Sequence, residues 1–257
     1  MKLAATRLAK EFPGGVRALE DVSISLDEGE FVSILGPSGC GKSTLLALLA
    51  GLLEPSSGQI LLDGESPVGG LLGRIGHMPQ RDLLMEWRTT LQNATLGLEL
   101  AGVGRGAARE RALAEVGRFG LAGFEDRRPS ELSGGMRQRA ALLRTFLAGR
   151  DVLALDEPFG ALDALTREAM REWLLDVWEA DRKTILLVTH DVEEAVFLSD
   201  RVYVMSGRPG RIAAEVAVEL PRPRRLELTE TAAFGELKAR LLEPLRNEAR
   251  AALRAAG

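Results

Sequence analysis

The sequence predicts an α/β fold: a parallel sheet flanked by helices, with a β-rich stretch before it and a helical insertion within it. Three observations carry this. Apolar runs at 31–35, 151–155 and 184–189 are followed by turn residues and helical patterns. Strands apolar throughout are covered on both faces, which is the habit of parallel sheets. From about residue 89 to 148 the pattern is helical with no strand signal, so this span interrupts the alternation. Within residues 1–30, Val22, Ile24 and Leu26 alternate with Ser23, Ser25 and Asp27, the period of a half-buried strand.

In chain order, 3–10 has strand-like spacing, and the run 31–35 leads straight into Gly36, Pro37, Ser38, Gly39, Cys40, Gly41, Lys42, Ser43 and Thr44, then into the apolar run 45–50. This is strand, glycine-rich loop and helix. With no Cβ in the way, such a loop turns its backbone N–H groups inward, and the helix behind it offers its positive end to an anion. The pattern is that of a P-loop, in which Lys42 reaches the β- and γ-phosphates of ATP and the Ser43 hydroxyl ligates Mg²⁺. Cys40, at a helix N-terminus beside Lys42, reads as a small space-filler, with a thiol pKa expected to be lowered so that it is alkylated unless ATP protects it.

Two short strands follow at 59–63 and 74–78. In the helical span Leu91, Ala94, Thr95, Leu98 and Ala101 share one face, and 109–119 forms a second amphipathic segment. Before the next helical stretch stand Ser133, Gly134 and Gly135, a second helix N-terminus suited to an anion, with Ser133 as its cap. The strand at 151–155 ends in Asp156 and Glu157. Adjacent carboxylates at a buried strand end are costly without a cation, so Asp156 is assigned to Mg²⁺ through water and Glu157 to polarising an attacking water. A helix at 165–180, a strand at 184–189 and a short helix at 192–198 continue the alternation. Late strands at 201–206 and 211–218 are joined by the turn Gly207, Arg208, Pro209, Gly210. After Pro221 and Pro223 the tail places Phe234, Leu237, Leu241 and Leu245 at helical spacing, with Pro244 expected to bend or divide that helix.

Composition bounds the function. At 257 residues the chain could be one large domain or two modest ones, and either buries a sizeable core. Its 46% hydrophobic and 27% charged content is that of a globular chain. The net charge of −4 comes from mixed signs without long runs, which leaves no footprint for nucleic acid. One cysteine excludes an internal disulfide and fits a reducing compartment. The start has no apolar core of signal-peptide length, and the longest apolar run, 45–53, falls far short of the roughly 20 residues that span a bilayer. The chain is expected to be soluble and cytoplasmic.

Taken in order, Phe12, the loop 36–44, Gln80, the segment 132–136, Asp156 with Glu157, Ala161-Leu162-Asp163 and His190 resemble the motifs of the ATP-binding subunit of an ABC transporter. The resemblance implies a P-loop NTPase (RecA-like) core with an N-terminal antiparallel β subdomain and an inserted α-helical subdomain at about 89–148. These would lie in an ATP-binding domain at 1–220, followed by a C-terminal helical tail at 221–257. It further implies that Phe12 stacks on adenine and that Gln80 senses Mg²⁺ and the γ-phosphate. His190 would hydrogen-bond that phosphate and orient Glu157. Ser133, Gly134, Gly135 and Gln138 would close over ATP held by a second copy, whose P-loop Asp163 would also contact. The working unit would be a head-to-tail homodimer at the cytoplasmic face of the membrane. Lys42, Gln80, Glu157 and His190 would carry the catalysis.

The apolar cluster Leu83, Leu84, Met85 and Trp87 is either a lid on the local core or a docking surface. In the family, two transmembrane permease subunits dock near Gln80 to Arg88, and an extracytoplasmic solute-binding protein acts through them. Similar chains commonly carry Pro where Glu86 stands. Segments 159–167 and 198–212 look most like the importers of nitrate, sulfonates, taurine and thiamine precursors, which implies uptake of a small solute of that kind or of a pyrimidine. The alternative is a soluble ABC ATPase not coupled to transport. The single P-loop and the absence of a heptad run count against it.

Overall fold

The computed structural model describes residues 1–160 and 162–255. Its elements begin with β1 (Leu3–Phe12), β2 (Val16–Leu26), β3 (Phe31–Leu35), α1 (Lys42–Leu49), β4 (Ser57–Leu62) and β5 (Gly76–Met78). The helical span holds α2 (Thr90–Ala94), α3 (Leu96–Leu100), α4 (Arg105–Val116) and α5 (Gly134–Leu147). Then come β6 (Val152–Asp156), α6 (Ala164–Asp181), β7 (Thr184–Thr189), α7 (Val192–Leu198), β8 (Arg201–Met205), β9 (Ile212–Ala217) and α8 (Ala232–Ala255).

Two sheets result. An antiparallel one has the order β2-β1-β4, and the other the order β5-β6-β7-β3-β8-β9. Within the second, all neighbours are parallel except β8 and β9. This is the α/β, P-loop NTPase class that the sequence implies.

Alternation along the central strands divides the core in two. From β3, Phe31 and Leu35 join a cluster with α5, α6 and α7, while Val32 and Ile34 point to the opposite side, against α1 and the antiparallel sheet. In β7, Ile185 and Leu187 go to the first cluster and Leu186 and Val188 to the second. Phe31 meets Trp178 edge-on with ring centroids 5.6 Å apart. A strand this buried fixes the loop that leaves its end.

The face predicted across Leu91 to Ala101 is split. α2 and α3 are separate short helices, and Ala101 is exposed. Thr89 caps α2 in a box with Gln92. The buried Asn93 then donates to the carbonyls of Met85, Arg88 and Thr89 and accepts from Met85 N–H at 2.7 Å, which shapes the turn before the helix.

Pro244 lies inside α8 and does not divide it. Packing outweighs the missing hydrogen bond: Phe234, Leu237 and Leu241 are buried in the first core cluster. The buried Arg224 ties the chain before α8 to the core by donating to the carbonyls of Val196, Phe197, Ser199, Val218 and Leu220. Burial, with Arg222 adding to it, pushes its pKa down to about 10, so it stays charged at neutral pH.

Candidate functional site: a phosphate cavity at the β3 loop

Gly41 caps α1 with φ +109°, and a Cβ there would stand 2.8 Å from the Ala18 carbonyl oxygen, so only glycine fits. The buried Lys42 curls back over the loop, its ammonium donating to the carbonyls of Gly36 at 2.8 Å and Pro37 at 3.0 Å. These groups open onto a cavity of about 310 Å³ lined by Ser38, Gly39, Gly41, Lys42, Ser43, Thr44, Gln80, Glu157 and Arg208.

Across the cavity stands Glu157, held at φ +45°, a conformation that costs a non-glycine residue about 1–3 kcal/mol and recurs at functional sites. Both of its carboxylate oxygens are engaged. Gln80 Nε2 donates to Oε2 at 3.1 Å, and His190 Nδ1 lies 3.2 Å from Oε1. His190 sits on the turn after β7, which Thr189 fixes by accepting from Asp191 N–H at 3.0 Å and donating to Glu194 at 2.6 Å.

Asp156 is buried at the end of β6. Burial pushes its carboxyl above the usual range, Glu157 adds to this, and the Ser43 hydroxyl and Lys42 oppose it. A carboxylate that is costly to ionise beside a hydroxyl suits a bound cation. Among the described residues no group of three or more His, Cys, Asp or Glu forms a metal cage.

The structure thus brings together Lys42, Ser43, Gln80, Asp156, Glu157 and His190. Phe12 does not line the cavity; at the end of β1, half-buried, it packs on the second core cluster with the Lys10 ammonium 5.4 Å from its ring. Ser133 and Gly134 are exposed at the start of α5, where the Ser133 hydroxyl accepts from Met136 N–H at 3.3 Å. Gly135 is half-buried beside Thr166. Gln138 is buried, its Oε1 without a hydrogen-bond partner. Asp163 caps α6, accepting from Thr166 N–H at 3.0 Å. None of these lines the cavity within one chain. Ala161 lies outside the described residues.

Two features were not foreseen. Arg208 lines the cavity, and Gln80 bonds Glu157 directly. One expectation is corrected: Cys40 is 1% exposed, and burial pushes its thiol up, outweighing Lys42. Its side chain packs beneath the loop instead of facing the cavity.

A larger cavity of about 500 Å³ lies away from the phosphate loop, lined by Trp87 to Thr89, Leu91, Gln92, Thr95, Glu99, Arg105, Arg109 and Asp126. Trp87 on its rim is 73% exposed. The segment leading to it is clasped to α5. Arg137 pairs with Asp82 at 2.9 Å, and Arg144 donates to the carbonyls of Leu83 and Asp82 at 2.7 and 2.6 Å.

Residues 19–160 match the profile of the ABC transporter family. An uncharacterized ABC transporter ATP-binding protein of Methanocaldococcus jannaschii is 45% identical over 96% of this chain and 92% of its own length. The taurine import ATP-binding protein TauB of Burkholderia pseudomallei is 50% identical over 81% of this chain and 80% of its own. Among solved structures, the dimeric post-hydrolysis state of the ATP-binding cassette MJ0796 with ADP and Pi superposes with a TM-score of 0.73 at 30% identity, over 85% of this chain and 100% of that one. The CbiO1 subunit of an ABC transporter complex from Clostridium perfringens superposes with a TM-score of 0.78 at 26% identity, over 93% and 95%. With the phosphate loop, the strand-end carboxylates and their two polar clamps in this arrangement, the chain belongs to the ABC transporter family, as an ATP-binding cassette ATPase.

Proposed function

We propose that this chain is the ATP-hydrolysing subunit of an importer for a small sulfonate or related solute, working as a head-to-tail dimer on two membrane subunits. The observation that carries the chemistry is the clamped Glu157. With one oxygen held by Gln80 and the other by His190, its carboxylate faces the mouth of the phosphate cavity, where it can accept a proton from water attacking the γ-phosphate. Lys42 would exchange its carbonyl partners for phosphate oxygens, and the loop N–H groups would hold the rest of the chain of phosphates. Ser43 and Asp156 are hard oxygen donors suited to Mg²⁺, with nucleotide oxygens and water completing the shell. The cation would shield charge on the transferring phosphoryl group. Gln80, bonded to the base and two residues before the Asp82–Arg88 segment in the chain, would report cleavage to whatever docks there.

Dimerisation is supported by the exposed Ser133 and Gly134, which do not line the phosphate cavity of their own chain, and by the dimeric state of MJ0796. The taurine import relatives support the solute class. No helix among the described residues is long and apolar enough to cross a membrane. The import relatives support separate membrane subunits, and the Trp87 cavity is the proposed dock. The test is co-purification from detergent-solubilised membranes of the source cells. Wild type should bring down a multi-span membrane protein and Trp87→Glu should lose it, with ATP binding intact in both. Soluble partners only, under conditions that preserve a control transporter, would contradict the importer assignment.

A further inference from the structure

We propose that Arg208 is a nucleotide-binding residue of the same chain, gripping the phosphate chain at its nucleoside end. The turn that carries it, between β8 and β9, is fastened to the phosphate loop. A Cβ at Gly210 would stand 2.2 Å from the Cys40 carbonyl oxygen, so the two backbones are in direct contact. Gly210 N–H donates to the Ala18 carbonyl at 2.9 Å, and Glu20 N–H donates back to the Gly210 carbonyl at 3.0 Å. On the other side, Gly207 N–H donates to Glu248 Oε2 of α8 at 3.1 Å. Held at both ends, the turn projects Arg208 to the rim of the 310 Å³ cavity.

Its charge is uncommitted. Arginines before and after it in the chain are matched, Arg201 with Glu30 and Glu215, Arg211 with Glu20, and Arg222 with Asp200. Among the described residues no carboxylate pairs with Arg208, and the acid that shares its cavity, Glu157, is engaged by Gln80 and His190. An unpaired guanidinium on a held turn at the rim of the cavity is suited to charge-assisted bonds with phosphate oxygens.

Sheet order sets which end of the nucleotide it meets. β3, which delivers the phosphate loop, lies between β7 and β8. Glu157 and His190 come from the β6 and β7 side, where the γ-phosphate is cleaved. Arg208 comes from the β8 side, so it approaches phosphates that ATP and ADP share.

This rests on the cavity being a nucleotide site, and titration calorimetry separates the two claims. Wild type, Arg208→Lys, Arg208→Ala and Arg208→Glu are titrated with ADP and, in a Glu157→Gln background, with ATP. Expected is a loss of about tenfold for Arg208→Ala, equal for ADP and ATP, a larger loss for Arg208→Glu and a smaller one for Arg208→Lys. Native affinity in both Arg208→Ala and Arg208→Glu would overturn the assignment, as would a loss confined to ATP. If wild type bound neither nucleotide, the site itself would be wrong and this inference with it. Melting temperatures equal to wild type establish that the variants are folded.

Discussion

The glycine-bearing helix N-termini at α1 and α5 differ in who needs the glycines. At α1 the chain itself does: a side chain at Gly41 would strike Ala18 and Leu19 at 2.8 Å, and Lys42 is buried over the loop. At α5 the first glycine meets almost nothing. A Cβ on Gly134 would find only Leu162 at 3.9 Å, an ordinary contact, and both Ser133 and Gly134 are exposed. The first cradle is finished within one chain. The second has donors, a cap and open space at Gly134, and the head-to-tail dimer we propose would complete it with another copy.

The strongest way to sharpen this contrast is to remove the base from the finished cradle. Glu157→Gln should keep nucleotide binding while hydrolysis falls by about 10²–10⁴, because the proton acceptor is lost and the phosphate loop untouched. Steady-state phosphate release beside calorimetric ATP binding reads both. Next, Ser133→Arg fills the open cradle. Hydrolysis should fall by about 10² while ATP affinity of the isolated chain stays native, and lost affinity would place Ser133 in the chain's own site. His190→Ala removes one of the two clamps on Glu157 and should slow turnover by about tenfold, the value of one hydrogen bond to a charged group. A smaller loss than from Gln80→Ala would make His190 the lesser support.

Asp156 offers a test of opposite sign. Its folded pKa is raised, so ionisation costs stability once pH exceeds the unfolded value near 3.8, and the cost is complete above the folded pKa. Asp156→Asn should therefore melt higher than wild type at pH 7 without nucleotide, by an amount that shrinks in acid, yet hydrolyse nothing. A lower melting temperature for the variant would mean that the carboxylate is satisfied within the chain. The smallest effect concerns Cys40. Buried with a raised pKa, it should react with iodoacetamide only as the chain unfolds, at a rate that ATP alters little beyond its effect on stability. Fast labelling of the folded chain would restore the expectation drawn from its position.

Both cradles were readable in the sequence because each of their parts carries a local signal. Residues 36–44 lie between two apolar runs, Asp156 and Glu157 end a buried strand, and Ser133 announces a helix start. What could not be read depends on distant neighbours. Arg208 sits in a turn whose partner backbone is Cys40, far away in sequence, and no local pattern shows that contact. Cys40 was misjudged for the same reason: helix position and Lys42 are visible in the sequence, whereas the packing of its thiol beneath the loop is not. Pro244 breaks a local rule that the core contacts of α8 override. Resemblance placed Gln80 near phosphate and His190 on Glu157, but that Gln80 meets the same carboxylate needed the sheet order that sets β5, β6 and β7 side by side.

The claim that the second cradle is completed by another copy is tested most directly by sedimentation of Glu157→Gln, with and without ATP, beside the double variant Glu157→Gln/Ser133→Arg. Glu157→Gln should be monomeric alone and run at twice the chain mass with ATP, while the double variant binds ATP and stays monomeric. A Glu157→Gln chain that binds ATP and remains monomeric at every concentration, or a double variant that dimerises as well as the single one, would contradict it.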